Sequence, residues 1–136
     1  MSLLKKMIEK LTQGYFYVVD INVLKEFLND ELKFTLENNL EASSHLKLYY
    51  KGEKHTIQVW NHAASNFADE KAKGLIVYYD DIEYKSIEEL FENAIISNIK
   101  LKDIKDYFKI ELIDADSVFL NEYKDQHPEL NVEDYN

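Results

Sequence analysis

Apolar and polar positions alternate most cleanly between His45 and Trp60, HLKLYYKGEKHTIQVW, where two runs flank Gly52-Glu53. Glycine at the first central position of a two-residue loop suits a type II′ turn, whose twist matches that of the strands it joins. With Lys51 opposite Lys54, Leu48 faces Ile57, Leu46 faces Val59 and Tyr50 faces His55, so one face of the hairpin is almost wholly apolar. The other face carries His45, Lys47 and Tyr49 against Thr56, Gln58 and Trp60, and a one-residue slip would mix the two sets. An isolated hairpin is only marginally stable in water, so further strands and helices are expected to cover the apolar face.

Helical spacing supplies those covers. Leu3, Leu4, Met7, Ile8 and Leu11 form one stripe of an amphipathic helix ended near Gly14. Tyr15 to Val19 is a short β-branched and aromatic run, either a strand or the connection into the next helix. Asp20 is a good N-cap for a helix with Val23, Leu24, Phe27 and Leu28 as its buried stripe and Asn29-Asp30 near its end. Lys33 to Glu37 alternates through Phe34 and Leu36 as a strand would, and 38–44 is a polar connection. Residues 62–73, ended by Gly74, are equally consistent with a helix and a loop.

Leu75 to Tyr79 is a strong strand signal, followed by a turn at Asp80-Asp81 and a short strand at Ile82 to Tyr84. Ser86 and Glu89 make a capping box for a helix over 87–96. Leu101, Ile104 and Phe108 suggest a short helical segment, and Phe108, Ile110 and Leu112 a final strand. Val118 to Tyr123 suggests one docked turn or short helix, and 126–136 reads as a mobile acidic tail. The expected fold is therefore α+β, a single domain over 1–125. Its mostly antiparallel sheet has about 4–6 strands built around the 45–60 hairpin, packed against two N-terminal helices and the helix at 87–96.

Charge narrows the classes of partner. The 136 residues carry a formal net charge of −10, and all sixteen basic residues are lysine. Nucleic-acid binding needs clustered cations and leans on the arginine fork, so nucleic acid is not an expected ligand. No apolar run approaches the length needed to span a bilayer, and the N-terminus lacks the unbroken apolar core of a signal peptide, so no membrane contact is expected. Absence of cysteine removes disulfides and thiolate chemistry and fits a reducing compartment, which places the protein in the cytoplasm.

Catalytic signatures are sparse. The serines stand in no G-x-S-x-G elbow, and Gly14, Gly52 and Gly74 are too far apart for a P-loop or a dinucleotide fingerprint. His55 and His62 match no common metal-ligand spacing, and Asp80, Asp81 and Glu83 lack the pattern of a calcium loop, so neither a metal nor another cofactor is expected. Paired carboxylates among 26 acidic residues carry no information.

The patch that remains is the outer hairpin face: His45, Lys47, Tyr49, Gln58 and Trp60. Amphipathic aromatics of this kind are enriched at binding hot spots. The expected function is a non-enzymatic interaction or inhibitor module with a protein partner of basic character. As a class, this profile is similar to that of toxin-neutralising immunity proteins, and no specific motif carries the likeness. One alternative is a small-ligand or weakly catalytic pocket between sheet and helices, lined by Tyr50, His55 and Tyr78. Another is a homodimer whose interface is the hairpin face itself.

Overall fold

The computed structural model describes residues 14–135, and the expected helix at Leu3 to Leu11 lies outside them. The described residues begin with β1 (Tyr15–Val19) and α1 (Ile21–Glu37), then form β2 (His45–Tyr50) and β3 (Glu53–Asn61). A 3-10 turn at His62–Ala64 and the one-turn α2 (Ala68–Lys71) lead into β4 (Leu75–Tyr79) and β5 (Ile82–Tyr84). Next come α3 (Ile87–Asn93), the small ribbon β6 (Ile95–Ile96) with β7 (Ile99–Lys100), a 3-10 turn at Leu101–Asp103, β8 (Phe108–Ile113) and α4 (Val118–Gln126). The main sheet runs β1-β8-β2-β3-β4-β5 with every neighbouring pair antiparallel, an α+β single domain.

The inner face of this sheet is the core. Leu46, Leu48, Ile57, Val59, Val77, Ile110 and Leu112 are fully buried there, packed with Leu24, Phe27 and Leu28 of α1, Ile87, Leu90 and Phe91 of α3 and Leu120 of α4. Three inner tyrosines bury their rings and pass their hydroxyls to the surrounding elements: Tyr17 to Asn121 Oδ1 at 3.0 Å, Tyr50 to Asp106 Oδ2 at 2.8 Å, and Tyr79 to the Ile95 carbonyl at 2.8 Å. Burial is the main cause that raises all three phenol pKa values. No described helix is long and apolar enough to cross a membrane.

The hairpin keeps its expected faces but not its expected register. Tyr50 pairs with Glu53, Leu48 with His55 and Leu46 with Ile57, two residues away from the expected pairing. The slip is even, so inward and outward sets are unchanged. The turn residues are Lys51 (φ 48) and Gly52 (φ 82), both left-handed, which is type I′ and not type II′. A lysine in that conformation is strained by about 1 kcal/mol. Lys51→Asn is therefore expected to raise unfolding stability by about 0.5 to 1 kcal/mol. A loss of stability in urea melts would instead support a turn centred on Gly52-Glu53.

Two other expectations are corrected. Lys33 to Glu37 is not a strand but the last turns of α1, with Phe34 and Leu36 exposed and Thr35 fully buried. The helix after Ser86 stops at Asn93 and does not reach 96: Ala94 is extended, and Ser97-Asn98 (φ 52 and 63) turn the chain into the β6-β7 ribbon. Beyond α4 the tail forms a capped 3-10 turn, Val132–Asp134, that contacts β1.

Candidate functional site

Alternation sends His45, Lys47, Tyr49, Thr56, Gln58, Trp60 and Tyr78 to the face of the sheet opposite α1, α3 and α4. Their side chains are half-buried, and the 62–73 segment sets His62, Glu70 and Lys73 beside them. That segment is inserted between β3 and β4, which pair directly, so its ends are pinned together: the His62 N–H donates to the Gly74 carbonyl at 2.9 Å. Gly74 (φ 66) makes the return. The result is a concavity of 490 Å³ lined by His45, Thr56, Gln58, Trp60, His62, Glu70, Lys73, Tyr78 and Asp80.

His62 is the organising residue of this concavity, 7% exposed with both ring nitrogens engaged. Nδ1 lies 3.1 Å from Glu70 Oε2, within ion-pair distance. Nε2 is hydrogen-bonded with the Tyr78 hydroxyl at 3.1 Å. The imidazole stacks on Trp60, with centroids 5.6 Å apart and planes at 19°. Tyr78 stands edge-on to both rings, at 86° to Trp60 and 74° to His62. Trp60 is fixed in turn, its Nε1 donating to Gln58 Oε1 at 3.0 Å while Gln58 Nε2 donates to the Ser43 carbonyl at 2.9 Å.

Glu70 has its second oxygen turned to a cation. Oε1 accepts from Lys73 Nζ at 3.2 Å, one helical turn on. Glu70, first by this hydrogen bond and then by its charge, holds the Lys73 ammonium above its ordinary pKa, with Tyr78 and Glu83 adding. Burial, followed by the charge of Glu83, raises the Tyr78 phenol.

The expected patch residues separate into two groups on this face. His45, Gln58 and Trp60 line the concavity. Lys47 and Tyr49 lie nearer β8, where the Tyr49 hydroxyl donates to Glu111 Oε1 at 2.9 Å and Lys109 sits 4.7 Å over its ring. Burial and the Glu111 contact push the Tyr49 phenol up to about 12. The expected pocket trio does not come together. Tyr50 and His55 belong to the inner face and Tyr78 to the outer one, because Tyr78 pairs with Gln58 while His55 pairs with Leu48. His55 instead reaches Asp80 Oδ2 at 2.6 Å and stacks on Tyr79.

Sequence reasoning passed over Glu70 and Lys73 and treated His62 only as a weak metal ligand. The signal that points to them is topological: residues looped out between two adjacent paired strands must hang over the strand ends. Among the described residues no group of three or more His, Asp or Glu is placed to hold a metal ion. No family model, no curated protein and no solved structure matches the chain.

Proposed function

We propose that the protein is a non-catalytic binding module that engages a basic protein partner through the outer face of its sheet. The observation that carries this reading is the Trp60, His62 and Tyr78 ring cluster, half-open on the face that the three longer described helices leave alone. Aromatic anchors of this kind concentrate binding energy, and a chain of net charge −10 attracts cations and repels its own copies. Chemistry at His62 is disfavoured by its own bonding. The ring is 7% exposed, its Nε2 is held at 3.1 Å by the Tyr78 hydroxyl, and its Nδ1 faces the Glu70 carboxylate at 3.1 Å, which leaves little room for a substrate atom.

Light scattering on a size-exclusion column at low and moderate salt is expected to give the mass of a single chain. Affinity capture from the source cells should then recover one stoichiometric basic protein. Its binding should weaken about tenfold with Trp60→Ala and fall as salt rises. A stable dimer in solution, or capture indifferent to both changes, would overturn the proposal.

A further inference from the structure

The concavity beside Trp60 already contains a cation of the protein's own, and that cation is loosely held. Lys73 is 47% exposed on its side chain, and its bridge to Glu70 spans i to i+3 on the surface. Exposed pairs of this type contribute little, so displacing the lysine costs little. Glu70 lines the same concavity, with Oε2 3.1 Å from His62 Nδ1 and Oε1 accepting from Lys73, so displacing the lysine frees Oε1 for another cation. The walls are the Trp60 and Tyr78 rings, 6.5 Å apart by centroid and nearly perpendicular; His62 stacks on one indole face, and the π surface that remains attracts positive charge. Taken together these are a carboxylate oxygen, two aromatic walls, and a resident ammonium that solvent can replace.

We propose that this concavity receives a lysine or arginine side chain of the partner protein, and that Lys73 holds its place in the free molecule. The inference rests on the reading that the outer face docks a basic partner, and it names the point of contact. The incoming cation bonds Glu70 Oε1 and lies against Trp60, while Lys73 swings into solvent. An arginine fits better than a lysine because its planar guanidinium can bond the carboxylate and stack on the indole at once.

One consequence runs against intuition: removing Lys73 should strengthen binding. Trp60 is the single tryptophan of the chain, so its fluorescence reports occupancy directly. A capped tetra-arginine peptide is titrated into the full chain and into four variants. Glu70→Gln is expected to weaken binding about tenfold, and Lys73→Met to tighten it about threefold. Glu111→Gln and Lys47→Met change net charge by the same amounts on the same sheet face, and are expected to shift affinity less than about twofold.

If the two glutamate variants behave alike, or the two lysine variants do, attraction is diffuse and the specific site is overturned, although Trp60-dependent capture of the partner would still stand. Binding seen by calorimetry that leaves Trp60 emission unchanged would remove the outer face from both proposals. Absence of binding in the millimolar range overturns the cation site. Spermine, of equal charge, binding as tightly as the peptide would reassign the site to small amines and overturn the protein side chain as its occupant.

Discussion

Phe27→Ala is expected to lower the free energy of unfolding by about 3 to 5 kcal/mol, whereas Phe34→Ala should change it by no more than about 0.5 kcal/mol. Both residues belong to α1, a single helix of 17 residues. Phe27 is 2% exposed between Leu24, Leu28 and the inner sheet face, so truncation leaves a cavity that its close-packed neighbours cannot fill. Phe34 is 57% exposed and leaves only water behind. For a domain whose whole stability is about 5 to 15 kcal/mol, the first change removes a large share. Urea unfolding at neutral pH followed by far-UV circular dichroism measures both. Comparable losses would mean that the chain after Asp30 leaves the helix and turns Phe34 inward, as a strand would.

The same helix shows why part of the fold was legible and part was not. Its start could be read because Asp20 is a local device, the side chain accepting from the Val23 N–H at 2.9 Å. Its end could not. Phe34 and Leu36 alternate, but the position the core takes is Thr35, fully buried because its hydroxyl donates to the Glu31 carbonyl at 2.7 Å. Asn29, read as near the helix end, donates its amide to the Lys25 carbonyl within the helix. Polar side chains bonded to their own backbone can sit mid-helix, and a hydropathy pattern does not record that bond.

Local chemistry also explains the other successes. Ser86 accepts from the Glu89 N–H at 3.0 Å as a capping residue should, and Asp80-Asp81 make the β4-β5 turn with Tyr79 opposite Ile82. The hairpin's faces were readable because side-chain alternation survives an even slip. Its register was not, since Lys51 tolerates a left-handed conformation that its residue type disfavours. The candidate site was half readable for a similar reason. Trp60, Gln58 and His45 are strand residues whose side follows from parity, while Glu70 and Lys73 reach them only because 62–73 is looped out between paired strands. Ser43 adds a contact no periodicity announces: its hydroxyl accepts from the Val59 N–H at 3.0 Å, extending the pairing beside β3 and placing its carbonyl where Gln58 needs it.

Asp80→Asn should lower stability by about 2 kcal/mol near neutral pH, an effect that fades as the solution is acidified. Asp80 sits at φ 53, where asparagine is equally at home, so the substitution removes charge without straining the turn. The carboxylate ties the β4-β5 turn to β3: Oδ2 meets His55 Nδ1 at 2.6 Å, and Oδ1 accepts from the Thr56 N–H at 2.8 Å and the Thr56 hydroxyl at 3.3 Å. Burial pushes the Asp80 pKa up, but the His55 hydrogen bond followed by the Thr56 N–H outweighs it, and the net direction is down from 3.8. A carboxyl held below its unfolded value stabilises the fold above that value and loses the contribution as pH falls through the folded one. The gap between the two proteins should therefore be full at pH 7 and close as the pH falls below 3.8. The side chain is 44% exposed, so solvent screens the pair and keeps the effect near 2 kcal/mol rather than the larger figure a buried pair would give. A gap that stays constant into acid would assign the loss to the amide's geometry and not to the charge. Because Thr56 and Asp80 also line the concavity beside Trp60, the variant is expected to loosen that wall. Broadened or shifted Trp60 emission at neutral pH, absent from Phe34→Ala, would show the turn and the site to be one mechanical unit.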